Sequence, residues 1–164
     1  MTARRHWNPD AETLSTSALR SLHTTRLRAQ LDYLAARSPF YQRKLAAASV
    51  RFSDIVHLED LADVPFTEKS ELRESQLALP PFGDHLACDA DSVRRVYSTS
   101  GTTGRPTYIG LTAGDIRTWR EAATRAFWCA GLRPQHRVPV VVSPFVVAAS
   151  YADAFEAVGT CIPV

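Results

Sequence analysis

The stretch YSTSGTTGRPT, at residues 97–107, places the tightest constraint on what this chain can fold into. All but three of its eleven residues are Ser, Thr or Gly, a composition that favours a loop over a helix or a buried strand. Residues 93–99 are rich in β-branched side chains and residues 107–111 alternate in polarity, so a strand is predicted on each side. We therefore expect two antiparallel strands joined by this loop.

The chemistry of the loop suits the binding of a polyphosphate. Hydroxyl groups and unhindered backbone N–H groups are concentrated in it, and successive N–H groups can form a concavity that binds anions. A solvated turn has a similar composition, and it is the commoner interpretation of a generic Ser- and Gly-rich loop. The sequence contains neither the G-x-x-x-x-G-K-[ST] pattern nor the G-x-G-x-x-G pattern. Because the loop is expected between two strands, backbone amides and hydroxyls, rather than a helix dipole, would hold the phosphates.

The first half of the chain is predicted to be mainly helical. Leu residues recur at helical spacing between Ser17 and Arg37, with Arg and Gln opposite them, which predicts an amphipathic helix. Ser38 is a suitable N-cap, and Pro39 a suitable first residue, for a second helix. Thr67 is the predicted cap of a third helix, with Lys69 as a solvated residue in its first turn.

The clearest helix is predicted in the second half. Thr112 and Asp115 have the spacing of a capping box, and the helical pattern continues to Ala130, after which Gly131 ends it. Its predicted core face holds Ile116, Trp119, Ala123, Ala126, Phe127 and Ala130.

Apolar runs at residues 138–142 and 161–164 predict buried strands, with a helix at 148–158 between them. The fold class that follows is α/β. An N-terminal helical and connector segment is expected at residues 1–90. Residues 91–164 are expected to hold the β-hairpin and an incomplete mixed or parallel sheet with helices.

The overall composition excludes some classes of partner. The 164 residues carry a net charge of +2 with scattered Arg residues, so neither nucleic acid nor a membrane is indicated. Three widely spaced Cys and five scattered His residues have no metal-ligand spacing, and no metal ligand is assigned. Residues 1–15 are predicted to be a weakly ordered lead-in rather than a signal peptide, because no apolar core follows their positive charges. No apolar run is long enough to span a bilayer, and a cytoplasmic protein is expected.

Read in order, residues 98–107 (STSGTTGRPT) resemble the phosphate-binding signature of the adenylate-forming superfamily. This superfamily includes acyl- and aryl-CoA ligases, luciferases and the adenylation domains of peptide synthetases. Most members carry Lys after the Pro, whereas Thr107 stands there in this chain, as in the phenylacetate–CoA ligase family. Three further stretches resemble that family: SPFYQRKL at 38–45, LEDLADVPFTEK at 58–69 and TAGDI at 112–116.

The resemblance, which covers residues 17–164, implies an ATP-dependent, AMP-forming acid–CoA ligase. A carboxylate attacks the α-phosphate of ATP in the presence of Mg²⁺, which gives an acyl-adenylate and pyrophosphate. The thiol of coenzyme A then displaces AMP and leaves a thioester. The implied substrate is a small aromatic or other carboxylic acid. By motif position, contacts to the β- and γ-phosphates are assigned to Ser100, Gly101, Thr102, Thr103 and Gly104.

The acid pocket is assigned from the position of residues 143–147 (SPFVV), where the family has a Gly-rich segment beside the acid. Phe145 and Val146 are the assigned substrate-binding residues. This segment is not Gly-rich, and buried core is the alternative interpretation of both side chains. Which acid is activated therefore stays open.

The resemblance also implies residues that this chain does not contain. No Y-G-x-T-E-like motif occurs, so the expected Mg²⁺-binding Glu, the ribose-binding Asp and the catalytic Lys are expected beyond Val164. No catalytic residue is assigned within the chain, which is predicted to be inactive alone as the N-terminal portion of a ligase. A complementary chain that completes the domain is one expected partner. Two alternatives stay open: a non-catalytic remnant that binds nucleotide or a partner, and an adenylating enzyme that loads a carrier protein.

Overall fold

The computed structural model describes residues 4–99, 106–139 and 146–160, with side chains of the last segment described from Tyr151 onward. It is a mixed α/β structure, as the sequence predicts. The chain divides into two compact units, Leu14–Asp91 and Met1–Thr13 with Ser92–Val164.

Helices α2 (Thr16–Arg37) and α3 (Pro39–Ala47) open the unit Leu14–Asp91. Ser38 ends the first helix and caps the second, because its buried Oγ accepts a hydrogen bond from the backbone N–H of Tyr41 at 3.3 Å. Pro39 is the first residue of α3, where its missing N–H costs nothing. The predicted helix–cap–helix arrangement is confirmed.

A small apolar core holds this unit together. Leu31 of α2, Leu45 of α3 and Ile55 are buried, and partly buried apolar side chains surround them. Two 3₁₀ turns, Phe52–Asp54 and Leu58–Asp63, cover this core, and helix α4 (Lys69–Ala78) follows them.

Two stretches that carry the family resemblance meet inside this unit. Lys44 of α3 donates to both carboxylate oxygens of Glu71 on α4, at 2.6 and 2.7 Å, and only 11% of its side chain is exposed. The hydroxyls of Tyr41 and Thr67 lie 3.3 Å apart. Tyr41 and Thr67 belong to the two motif stretches, and Glu71 lies two residues beyond the second. Their contacts join α3 to α4 and to the segment before it.

The predicted cap of α4 is wrong by one residue. The N-cap is Glu68, whose backbone N–H donates to the carboxylate of Glu71 at 2.6 Å. Thr67 is instead occupied by its contact with Tyr41. Lys69 is exposed in the first turn, as predicted.

The second unit is built on the predicted β-hairpin. After a 3₁₀ turn at Ala90–Ser92, strand β1 (Val93–Ser98) pairs antiparallel with β2 (Tyr108–Thr112), and Ser98 lies opposite Tyr108 at the end next to the loop. This pairing confirms that the Ser- and Thr-rich loop connects two antiparallel strands.

Helix α5 (Ala113–Cys129) packs beside the hairpin, and helix α6 (Val146–Val158) packs against α5. The predicted capping box is present, because Thr112 Oγ1 accepts from the Asp115 N–H at 3.3 Å and Asp115 accepts from the Thr112 N–H at 2.8 Å. Gly131 follows α5 with φ of +97°, the left-handed conformation predicted for the end of that helix. The strands predicted at 138–142 and 161–164 fall almost wholly outside the described residues.

Part of the stretch predicted as a weakly ordered lead-in, at Trp7 and Asn8, is instead packed onto α5. Trp7 Nε1 and Asn8 Nδ2 donate to the two carboxylate oxygens of Glu121, at 3.1 and 2.8 Å. Asn8 then caps the short helix α1 (Pro9–Glu12). The prediction failed because the partners of these residues are more than a hundred positions away in sequence.

The core face predicted for α5 is also wrong at three of its six positions, because Trp119, Ala126 and Ala130 are exposed. Trp119 is 48% exposed, whereas Trp128 is 6% exposed and Thr124 is fully buried. Phe127 is half-buried against α6, with its ring 5.2 Å from Tyr151 and 4.7 Å from Phe155. The sequence allows either face, because apolar residues occupy adjacent positions near the end of the helix, and tertiary contacts select one.

No helix within the described parts of the chain has the length and apolarity required to cross a membrane.

Candidate functional site

The candidate site is the closed neck of the hairpin loop. The Thr99 N–H donates to the Thr107 carbonyl at 3.0 Å, and the Thr107 N–H donates to Thr99 Oγ1 at 3.0 Å. These two bonds continue the strand pairing by one step and fix where the chain leaves and re-enters the sheet. The predicted phosphate contacts, Ser100, Gly101, Thr102, Thr103 and Gly104, lie outside the described residues.

The two predicted pocket residues are equally untested. Phe145 lies outside the described residues. Val146 is the first residue of α6, and its side chain is not described. Their assignment to an acid pocket stays a prediction.

Thr107 carries the most unusual side chain of the neck. The residue is 2% exposed, and its Oγ1 is buried without a hydrogen-bond partner among the residues that the structure describes. A buried polar group without a partner costs about 1–3 kcal/mol. Any partner for this hydroxyl would therefore have to come from outside the described residues.

An ion pair attaches the hairpin to helix α6. The guanidinium of Arg95, on β1, pairs with the carboxylate of Asp153, and it also donates to the hydroxyl of the buried Tyr97 at 3.1 Å. The hydrogen bond with Asp153, followed by that with Tyr97, raises the pKa of Arg95. Arg95 and Asp153 are 58 positions apart, and no sequence pattern connects them. This ion pair therefore holds strand β1, which leads into the loop, against helix α6.

A second polar cluster lies in the other unit and contains Ser, His and Asp. Ser75 Oγ donates to Asp84 Oδ1 at 2.7 Å and accepts from the Asp84 N–H at 3.0 Å. With its single proton used, Ser75 accepts from the Nδ1–H of His85 at 3.0 Å. A catalytic triad places His between Ser and Asp, whereas Ser75 here lies between the other two. The cluster therefore stabilises the turn after α4 and is not a nucleophilic site.

The cluster predicts a pH dependence of stability. Burial lowers the pKa of His85 below its ordinary value of 6.5, and the charge of Asp84 only partly opposes this. Unfolded chains consequently bind a proton at His85 at higher pH than folded chains do, so the free energy of unfolding should fall as the pH drops below about 6.5. Urea denaturation at about pH 7.5 and about pH 5.5 should show a smaller loss of stability in His85→Gln than in the parent chain. His23→Gln, at an exposed position on α2, is the matched control; an equal loss in the parent and His85→Gln would contradict the prediction.

Comparison with known proteins gives close sequence relatives. No protein-family model matches the chain. The phenylacetate–coenzyme A ligase of Thermus thermophilus is 40% identical over 128 residues, which are 78% of this chain and 28% of that protein. The enzyme of the same name from Escherichia coli is 37% identical over 129 residues, again 28% of its length.

Comparison with solved structures also gives acid–CoA ligases. A crystal structure of 2-hydroxyisobutyryl-CoA ligase in complex with its acyl-AMP and CoA matches with a TM-score of 0.89 and 34% identity. The match covers all of this chain and 35% of that one. An open conformation of the same ligase matches with a TM-score of 0.87.

The fold and the sequence relatives define the class: this chain belongs to the adenylate-forming superfamily. Within that superfamily it belongs to the phenylacetate–CoA ligase family. The chain spans just over a quarter of the length of the curated relatives that it matches.

Proposed function

We propose that these residues supply the phosphate-binding part of an AMP-forming acid–CoA ligase. In the first step a carboxylate oxygen bonds to the α-phosphorus of ATP, and the bond to pyrophosphate breaks. In the second step the sulfur of coenzyme A bonds to the acyl carbon, and AMP leaves. The observation that carries the proposal is the hairpin with its closed neck, in a fold that matches a ligase bound to an acyl-AMP and CoA.

In this proposal the loop acts by electrostatics alone. Backbone N–H groups and hydroxyls of Ser100, Thr102 and Thr103 donate to the β- and γ-phosphate oxygens and offset charge during transfer. Gly101 and Gly104 let the backbone approach the phosphates closely. The neck bonds between Thr99 and Thr107 keep both ends of the loop in register for this task.

The described residues differ in how well they suit ATP and how well they suit magnesium. The closed neck, and the Thr107 hydroxyl, which has no partner among the described residues, suit a polar ligand at the loop. Mg²⁺ at such sites is held by phosphates and one or two carboxylates. Across residues 4–99, 106–139 and 146–160, no group of three His, Cys, Asp or Glu side chains could hold a metal ion. The proposal therefore assigns no magnesium ligand within these residues.

The acid class is proposed more broadly than an arylacetate. The named relatives act on phenylacetate, and the structural neighbour carries a 2-hydroxyisobutyryl group. We propose that Phe145 and Val146 line the acid site, which suits a small acid with an apolar body. Aryl acids and short branched hydroxy acids are the two groups of substrate to compare.

Nucleotide binding tests the loop assignment. The double variant Thr102→Ala, Thr103→Ala removes two hydroxyl donors, and we expect MgATP affinity, measured by isothermal titration calorimetry, to fall at least about tenfold. Thr118→Ala is the control, because this exposed hydroxyl on α5 only donates to the Gly114 carbonyl at 3.1 Å. ATP–pyrophosphate exchange is the second readout. We expect the 164 residues to bind MgATP but not to catalyse this exchange.

Two results would count against the proposal. Equal MgATP affinity in the double variant and the parent would remove the loop from the binding site. Acid-dependent exchange by the 164 residues alone would show that the chain contains the catalytic groups that we expect elsewhere.

A further inference from the structure

The ion pair between β1 and α6 has a fixed orientation. Nη1 of Arg95 donates both to the Asp153 carboxylate and to the Tyr97 hydroxyl, and Nη2 lies 3.4 Å from the other carboxylate oxygen. Tyr97 is buried, and it lies on the same face of β1 as Arg95 because the two are two residues apart on a strand. A planar guanidinium bonded through both terminal nitrogens has little freedom to turn.

The exposure of the pair argues against a role in stability alone. The side chain of Arg95 is 32% exposed and that of Asp153 is 24% exposed. Ion pairs in contact with water add little to the free energy of folding, because lost hydration and side-chain entropy offset most of the Coulomb attraction. What a forked pair supplies is a defined geometry between the two elements that carry it.

The pair closes a ring of four elements. Strand β1 pairs with β2, and β2 runs directly into α5. Helix α5 packs against α6 through Phe127, whose ring lies against those of Tyr151 and Phe155. The ion pair then returns from α6 to β1. Without it, β1 would be tied to α6 through β2 and α5, a longer route that fixes its position less closely.

The two ends of the pair lie on elements that lead to the two predicted binding segments. Arg95 is four residues before Thr99, which forms the neck of the loop with Thr107. Asp153 lies about two turns into α6, whose first residue, Val146, is assigned to the acid site. The pair therefore sets the position of the neck relative to α6.

We propose that Arg95 and Asp153 are positioning residues for nucleotide binding, which hold the neck of the loop in the place relative to α6 that MgATP requires. The two side chains engage each other and act through β1, without touching the nucleotide. Because the pair carries no net charge, its effect on an anionic ligand comes from geometry. This inference rests on the proposed nucleotide function of the loop.

Asp153→Asn separates positioning from charge. The substitution keeps the size of the side chain and removes one negative charge, so charge alone would raise the affinity for MgATP, which is itself an anion. Loss of positioning instead predicts a fall of about fivefold, measured by isothermal titration calorimetry on the 164-residue chain. Arg95→Met should give a similar fall. The double variant should fall no further than either single variant, because each substitution breaks the same bond.

Glu71→Gln is the matched control. It removes a negative charge from another partly exposed ion pair, that of Glu71 with Lys44, which lies in the other unit. We expect this variant to lower the thermal midpoint while its MgATP affinity stays within about twofold of the parent. A role in stability alone would make affinity follow the midpoint in both Glu71→Gln and Asp153→Asn.

The outcomes distinguish this inference from the function on which it rests. If the parent chain binds no MgATP, both are overturned. If the parent binds and Asp153→Asn binds as tightly or more tightly, only the inference is overturned. An equal loss of affinity in Glu71→Gln, or recovery of the parent's affinity in the double variant, would also overturn it, because stability or charge would then explain the effect.

Discussion

Replacing Trp128 with Ala is expected to lower the free energy of unfolding by about 3–5 kcal/mol. Trp128 is 6% exposed, its ring lies 5.5 Å from that of Trp7, and the guanidinium of Arg133 lies 4.1 Å from the ring centroid. The substitution removes the largest buried ring of this part of α5, together with both of these contacts. It also leaves the segment around Trp7 without its apolar partner.

The same replacement at Trp119 is the matched control, because it changes the same residue type in the same helix. Trp119 is 48% exposed, and exposed substitutions usually change stability by less than about 0.5 kcal/mol. Urea denaturation of both variants, followed by far-UV circular dichroism, measures the difference. Similar losses in the two variants, or a larger loss at Trp119, would show that α5 buries the other face.

Replacing Gly83 with Ala is the second large effect, with an expected loss of about 2–5 kcal/mol from two separate causes. Gly83 has φ of +76°, a conformation that costs a residue with a side chain about 1–2 kcal/mol. A Cβ there would also lie 2.8 Å from His85 Nδ1 and 2.9 Å from the Ser75 carbonyl carbon, and closer still to Ser75 Oγ. Ser75 cannot move aside cheaply, because its hydroxyl is bonded to both Asp84 and His85.

Gly131→Ala separates the two causes. Gly131 has φ of +97°, but a Cβ there would have nothing within 4 Å. For Gly131→Ala we therefore expect only the backbone cost, a loss of about 1–2 kcal/mol in the free energy of unfolding. Urea denaturation again measures this loss. If both variants lose the same stability, the close packing of Gly83 against Ser75 contributes nothing.

Several local features could be predicted from the sequence because their causes are local. The Ser38 cap, the Thr112–Asp115 capping box and the turn at Gly131 each depend on groups within four residues of one another. The hairpin depends on two adjacent strands and the loop between them. The cap predicted for α4 is one residue too early, because a contact with Tyr41 engages Thr67.

Most of the structural features that the sequence did not predict depend on residues distant in sequence. The packing of Trp7 and Asn8 on α5 requires Glu121 and Trp128, which no local pattern could supply. The Arg95–Asp153 pair, which joins residues 58 positions apart, was likewise not predicted. The Ser75–Asp84–His85 cluster spans only ten positions and was also not predicted. In each case ordinary surface residue types acquire a specific role only through a tertiary neighbour.

The sequence by itself determined the class of this protein and the location of its candidate site. The order of residues in the loop identifies the family, and the alternation beside it places the loop on a hairpin; both signals lie within fifteen consecutive residues. The tertiary structure decided which face of α5 is buried and what holds the hairpin to α6. It alone showed that the Thr107 hydroxyl is buried without a described partner. Burial and pairing are properties of the whole packed unit, because a side chain loses solvent or gains a partner only when distant segments come together.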